Sequence, residues 1–229
     1  EEATLYDGAI ETLARLQAKR PPAVLKAQGA RWPLLTYDYL ALETGVDLFI
    51  EWLPALHPAV SFSDEDLYVW EDFWSAVCFT AEREASVFCH RDYHAENLLW
   101  LPERTGVRRV GLLDFQDAVL AHPAWDLSMM LHDARRDISR ELEAAGLASY
   151  FEHTGADREA MMRNYSVLGA LNILRILGIF SRLIVRDGKP RYRAFMPRMW
   201  GYLDRVLTHP ELAPMKAMLE ARVPREVRS

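Results

Sequence analysis

Between positions 90 and 117 the sequence gathers side chains able to bind protons, phosphate or a metal ion. The segment His90-Arg91-Asp92-Tyr93-His94-Ala95-Glu96-Asn97 is followed by an apolar run, a turn, a second apolar run and Asp114-Phe115-Gln116-Asp117. Two chemistries fit these residues. In one, His90, Asp92 and His94 are metal ligands at alternating positions, with Asp114 completing the set, as in some metal-dependent hydrolases. In the other, Asp92 and Asn97 lie on one loop, and Asn97 and Asp114 share a magnesium ion. Phosphoryl transfer from ATP needs a carboxylate to orient the acceptor hydroxyl and oxygen ligands to hold a hard cation against the phosphates. Asp, Asn and Asp supply these parts, so the second reading uses more of the sequence.

The interval from Asp92 to Asn97 matches the protein-kinase pattern H-R-D-x-x-x-x-N, and Leu112-Leu113-Asp114-Phe115 takes the place of the metal-binding D-F-G strand end. With these residues in this order around an apolar hairpin, the chain resembles the aminoglycoside phosphotransferase and choline kinase-like family. His90, Asp92 and Asn97 match that family's H-x-D-x-x-x-x-N loop, Asp114 its following metal Asp, and His122-Pro123-Ala124-Trp125-Asp126-Leu127 its D-P-A-x-D-L-like segment. The resemblance implies a protein kinase-like fold, ATP and Mg2+ as cofactors, Asp92 as the catalytic carboxylate, and Asn97 and Asp114 as the metal ligands. It also implies that Asp126 braces the loop from the start of a helix. His90 is expected to pack beneath the loop and bond to backbone. His94 either faces the nucleotide phosphates or satisfies the loop; Glu96 and Asp117 are expected to be solvated carboxylates, and Arg91 to have no role beyond solubility.

Tyr93 to Trp100, Leu112 to Ala118, Asp133-Ala134-Arg135-Arg136-Asp137, Leu177-Gly178-Ile179-Phe180 and Asp187-Gly188-Lys189-Pro190 are similar to the bacterial anomeric kinases of N-acetylmuramate and N-acetylglucosamine. That likeness implies a sugar C1 hydroxyl as acceptor and a place in cell-wall recycling. Aminoglycoside or choline-type kinases remain the alternatives within the class, and a metal-dependent hydrolase or a noncatalytic pseudokinase outside it. Trp70, Trp74 and Trp125 could cage a choline-type cation. Substrate contacts are sought on the helical part. There Tyr165, Asn172, Arg175 and Arg182 form a polar stripe along an apolar rod, and an Arg fork suits a carboxylate such as the lactyl group of N-acetylmuramate. An internal ion pair with Asp133 or Asp137 would explain the same arginines.

These residues need elements to position them. Leu5, Ala9, Leu13 and Leu16 predict a first helix ending before Pro21-Pro22; a second apolar stretch, Leu40 to Leu53, is expected to stop at Pro54. Ser63 with Asp66 resembles a capping box that opens a third helix carrying Leu67, Trp70, Phe73, Trp74 and Val77, with its aromatics in the core. Leu98 to Leu101 and Val110 to Leu113 flank the turn-like Pro102-Glu103-Arg104-Thr105-Gly106 and read as a hairpin, with Val87 to Cys89 as a strand leading into it. Helices resume after Asp126; a long one runs from about Asp157 to Arg186, and two more cover Phe195 to Leu207 and Glu211 to Leu219, with a frayed tail from Arg222. The fold class is therefore α+β, mainly helical.

Composition sets outer bounds. The 229 residues are 50% hydrophobic and 11% aromatic, which excludes disorder, and carry 27 basic against 33 acidic side chains for a formal charge of −6, without the basic footprint of a nucleic-acid binder. The best membrane candidate, Val167 to Ile184, is interrupted by Asn172, Arg175 and Arg182, so no membrane partner is expected. Two cysteines without metal spacing and no visible signal peptide point to the cytoplasm. The chain starts without Met, and its early lysines, Lys19 and Lys26, are read as a helix end and a Pro-flanked loop, with no glycine-rich strand-turn-strand before Asp92. Residues 1 to 229 are accordingly expected to be the carboxy-terminal, catalytic and substrate-binding lobe of a two-lobe phosphotransferase. The amino-terminal nucleotide-binding lobe, and most cofactor contacts with it, would be absent from this chain, which alone should bind ATP weakly.

Overall fold

The computed structural model describes residues 2–228. In chain order the elements are α1 (Glu2–Gln17), β1 (Val24–Ala27), β2 (Ala30–Pro33), α2 (Tyr39–Leu56), α3 (Asp64–Arg83), β3 (Val87–Cys89), β4 (Leu98–Trp100), β5 (Val110–Leu112), β6 (Val119–Ala121), α4 (Ala124–Leu131), α5 (Arg140–Thr154), α6 (Arg158–Val185), α7 (Met196–Val206) and α8 (Ala213–Arg222). This is a mostly helical α+β fold with short strands. It divides into two compact units, one of Glu1–Tyr37 with Ala81–Met162, the other of Asp38–Thr80 with Arg163–Ser229.

The first unit holds the strands. β4 and β5 pair antiparallel with Leu98 opposite Leu112 and Trp100 opposite Val110. β3 does not join this hairpin. It pairs instead with β6, Val87 opposite Ala121, and the Leu35–Tyr37 segment adds to the far edge of β6 through a parallel bridge at Thr36 and Leu120. α4 is buried at every residue, Asp126 and Ser128 included, because it runs through the centre of the unit. α1 packs on α5 and turns Tyr6, Ala9, Ile10, Leu13 and Ala14 inward, while Leu5 of the expected apolar stripe is left exposed.

Between α1 and α2 the structure corrects the sequence reading. Lys26 lies on a strand, not in a loop: β1 and β2 form a hairpin whose two-residue turn, Gln28-Gly29, has φ of 49° and 82°. Positive φ at both positions suits the twist of paired strands, and Gly29 takes it without a Cβ clash. Pro21, Pro22 and Pro33 flank this pairing and give its sequence the look of a loop.

In the second unit α3 opens as expected. The Ser63 amide donates to Asp66 Oδ2 at 2.7 Å, and the Asp66 amide returns a bond to Ser63 Oγ at 3.3 Å. Asp38 caps α2, which passes through Pro54 and ends at Leu56; the proline falls in the last turn, where only one intrahelical bond is lost, and the His57 amide closes on the Leu53 carbonyl at 2.9 Å. The core gathers Phe49, stacked on Trp70 at 5.6 Å, with Trp74 and Trp200 around them. At Gly178, α6 lies against the backbone of Leu48 and Phe49. α6 is long and apolar enough to cross a membrane by length and composition, yet two-thirds of its most apolar window, 67%, is buried inside the protein. The tail is not frayed: Arg228 donates to the Val223 and Leu219 carbonyls at the end of α8 and lies over the Trp200 ring.

Candidate active site

β3 delivers the chain into the loop, and a buried carboxylate sets the loop's first turn. Asp126, fully buried in the first turn of α4, accepts from the His90 amide at 2.6 Å, the Arg91 amide at 2.9 Å and the Cys89 thiol at 3.1 Å. Arg91 holds a φ of 76°, unfavourable for a residue with a Cβ, and the bonds to Asp126 offset that strain. Its guanidinium stands over the Tyr37 ring, 5.2 Å from the centroid, so Arg91 is fixed at both ends and is not merely a solubilising charge. Burial pushes the Asp126 carboxyl above its ordinary value, and the thiol and two amides pull against that rise. Burial likewise pushes the Cys89 thiol well up, so it is an inert donor rather than a nucleophile.

Beyond Asp92 the chain makes a single 3-10 turn, Ala95–Asn97. The Asp92 carbonyl accepts from the His94 amide at 3.1 Å and from Asn97 Nδ2 at 3.0 Å. Asp133, buried, bonds the Ala95 amide at 3.2 Å and the Arg135 amide at 2.8 Å, bracing the loop from its other side. The Leu113 peptide is then clamped twice, its N–H donating to the Asn97 carbonyl at 2.9 Å and its carbonyl meeting His90 Nε2 at 2.8 Å. The next residue is Asp114. It is exposed, has a φ of 61°, and accepts from Gln116 Nε2 at 2.8 Å.

Asp92, Asn97, Asp114, His90 and Asp126 are thus brought into one constellation within the first unit. The half-buried Asp92 carboxylate takes no hydrogen bond among the described residues, which leaves its oxygens for an incoming donor. Asn97 commits Nδ2 to a carbonyl, an acceptor only, so Oδ1 is the atom it can offer a cation. Asn97 Oδ1 and the exposed Asp114 carboxylate are both oxygen donors, the atom type that could hold Mg2+. No group of three or more His, Cys, Asp or Glu side chains among the described residues converges to hold a metal, so His90, Asp92 and His94 do not form the hydrolase site of the alternative reading. His90 is committed to the Leu113 carbonyl, and His94 Nε2 to Asn97 and Arg135. His94 is held below its ordinary value by burial and by the Arg135 charge. Glu96 pairs with Arg135 at 2.9 Å, and Asp117 is exposed.

Asn172, Arg175 and Arg182 lie on α6 in the second unit. Arg175 donates through Nε and Nη2 to Oδ1 of the buried Asn172 at 3.1 and 2.9 Å, so the stripe satisfies itself in part. Asp133, the suggested acid partner, is occupied by loop amides. Trp70, Trp74 and Trp125 are each packed into the core of their own unit and present no open aromatic cage. Sequence reasoning missed the supporting roles of Cys89, Asp133 and Tyr37 at this loop. An apolar cavity of about 480 Å³ opens between α1 and the hairpin, lined by Leu5, Tyr6, Leu98, Trp100 and Met130 among others. None of Asp92, Asn97 or Asp114 lines it.

A carboxylate at the head of a short loop, an amide at its end and a second carboxylate after the paired strand characterise a kinase-like phosphotransferase fold. The sequence model of the phosphotransferase enzyme family matches residues 1–162, and the chain belongs to that family. It is 56% identical over its full length to an N-acetylmuramate/N-acetylglucosamine kinase of Caulobacter vibrioides, and 30% identical, over 94% of the chain, to the protein of that name in Pseudomonas aeruginosa. The chain spans 63% and 62% of the length of these two relatives. Its fold is similar to that of a choline/ethanolamine kinase family protein from Mesorhizobium loti, with a TM-score of 0.59 at 17% identity, covering 98% of this chain and 66% of the other.

Proposed function

We propose that these residues are the carboxy-terminal lobe of an ATP-dependent kinase that phosphorylates a hydroxyl of an amino sugar, the anomeric hydroxyl of N-acetylmuramate or N-acetylglucosamine. Asp92 orients that hydroxyl toward the γ-phosphate and receives its proton. Asn97 Oδ1 and the Asp114 carboxylate hold Mg2+, which when bound neutralises charge on the phosphates. His90 and Asp126 hold the loop that carries them. The observation that supports this reading best is the double clamp on Leu113, which holds Asn97 and His90 against the residue before Asp114. The names of the relatives, all amino-sugar kinases, support this choice of acceptor. Two free, buried cysteines suit a reducing compartment, and we place the reaction in the cytoplasm.

The test is a panel of acceptors presented with Mg2+ and ATP to the complete protein: N-acetylmuramate, N-acetylglucosamine, an aminoglycoside and choline, with product identified by mass. A phosphorylated amino sugar that loses its phosphate in mild acid, as an anomeric phosphate does, is the expected result. Turnover of choline or the aminoglycoside alone would overturn the acceptor assignment, and hydrolysis supported by zinc without nucleotide would overturn the reaction class.

A further inference from the structure

We propose that His94 is a positioning residue that fixes which end of the Asn97 amide faces the cation, an inference that rests on reading Asn97 as a metal ligand. Asn97 Nδ2 carries two hydrogens. One meets the Asp92 carbonyl at 3.0 Å, a main-chain contact open to any residue at that position; the other points to His94 Nε2 at 3.3 Å. Arg135 Nη1 approaches the same nitrogen at 3.5 Å. A guanidinium has only donors, so His94 Nε2, with Arg135 on one side and the Asn97 NH2 on the other, must carry the lone pair; that lone pair and the Asp92 carbonyl together select the amide orientation that leaves Oδ1 for the cation. The proton therefore sits on Nδ1, a nitrogen that is buried and has no hydrogen-bond partner among the described residues.

The surroundings hold this tautomer in place. Arg135 is steered toward His94 by its 2.9 Å pair with Glu96 and by the Asp133 carboxylate, which receives the Arg135 amide and the Ala95 amide. His94 itself is 7% exposed and cannot swing away without opening the 3-10 turn it precedes. Removing this acceptor leaves the Asn97 NH2 with the Asp92 carbonyl as its one partner among the described residues, which weakens the preference for presenting Oδ1 to the cation. A group that orients a metal ligand in this way typically changes metal affinity by about tenfold or more.

Two measurements on the complete protein test this. In the unmodified protein, nitrogen NMR of the imidazoles, assigned by difference against His94→Gln, should find Nδ1 protonated and Nε2 bare in His94; a proton on Nε2 overturns the proposal. Second, Mn2+ binding in the presence of a nonhydrolysable ATP analogue is followed by electron paramagnetic resonance. His94→Leu should weaken Mn2+ about tenfold, His94→Gln, which restores an acceptor, should recover most of it, and KM for the sugar should stay within about twofold. Placed in an Asn97→Asp background, where both ends of the side chain are oxygens, His94→Leu should have no further effect. A residue that merely supports the fold would weaken metal binding in both backgrounds, and that outcome overturns the role. If Asn97→Ala leaves Mn2+ affinity unchanged, the metal-ligand reading fails and takes the His94 role with it. If Asn97→Ala weakens binding and His94→Leu does not, the His94 role alone is lost.

Discussion

His90 Nε2 lies 2.8 Å from the Leu113 carbonyl, and this contact spans the 23 residues between the head of the loop and the strand end before Asp114. Because a carbonyl only accepts, His90 donates through Nε2, and this bond joins the Leu113 N–H to Asn97 in placing the residue before Asp114 against the loop. His90→Ala should leave the Leu113 carbonyl without its partner at a part-buried position and open a small cavity where the fully buried ring stood, a loss of about 1–3 kcal/mol that urea unfolding can measure. In the complete protein the same variant should raise the Mg2+ requirement, while His90→Gln, which can still donate, should recover part of both losses.

Asp126 makes a complementary prediction. Asp126→Asn keeps shape and burial but replaces one acceptor oxygen with an NH2, which must confront the His90 amide on one side or the Arg91 amide and Cys89 thiol on the other. Loosening a turn that holds Arg91 at positive φ displaces Asp92, and misplacement on the scale of an ångström lowers kcat by about a hundredfold. Steady-state kinetics of the complete protein, with circular dichroism to show an intact fold, checks this. An unchanged kcat would remove Asp126 from the support of the loop.

The parts of this site that were legible in the sequence are those whose logic is local. Asp92 and Asn97 are five residues apart on one turn, and β4 and β5 flank a loop with its own turn residues, so spacing and pattern identify them. Asp133 and Cys89 act differently: the carboxylate reaches an amide 38 residues earlier, and the thiol a carboxylate 37 residues later. Nothing in side-chain spacing marks a carboxylate whose partner is a backbone N–H. β6 was missed for the same reason, since three residues acquire strand identity only by pairing with β3. α5 has a weakly segregated apolar face, but its ends, Ser139 as N-cap and Gly155 at a φ of 63°, were readable signals.

Arg182 offers a way to test the acceptor. Its Nε is buried without a hydrogen-bond partner among the described residues, whereas Arg175 is engaged with Asn172. If Arg182 reads the lactyl carboxylate, Arg182→Ala should raise KM for N-acetylmuramate about tenfold, within the range of a lost charged hydrogen bond, and leave KM for N-acetylglucosamine, which has no carboxylate, nearly unchanged. Equal increases for both sugars would assign Arg182 to the fold instead.

The capping box of α3 predicts an acid-sensitive contribution to stability. Burial alone would raise the Asp66 carboxyl, but the Ser63 hydroxyl and amide and the Arg222 guanidinium outweigh it and hold it below its ordinary value of 3.8. A carboxyl with a depressed value in the folded state contributes its full stability above the unfolded value and loses it as pH falls through the folded value. Asp66→Asn should therefore cost about 1 kcal/mol near neutral pH, and the difference from the parent should shrink as pH drops below about 4. Urea midpoints across that range provide the check; a difference that grows in acid would contradict the assignment.

Two helical glycines are expected to respond in opposite directions to the same substitution. A Cβ at Gly178 would sit 2.5 Å from the Phe49 amide nitrogen and 2.6 Å from the Leu48 carbonyl oxygen, main-chain atoms that cannot rotate aside. Gly178→Ala must push α6 away from α2 in the second unit, and overpacking of this kind costs about 1–3 kcal/mol. Gly201, in the middle of α7, has nothing within 4 Å of the same position and is exposed. There the methyl group meets only solvent, and Gly201→Ala should stabilise by about 0.5–1 kcal/mol through the lower backbone entropy of the unfolded chain. Thermal unfolding of the two variants separates the effects: helix propensity favours alanine at both sites, so a lower Tm for Gly178→Ala beside a higher one for Gly201→Ala isolates the close approach of the helices as the cause.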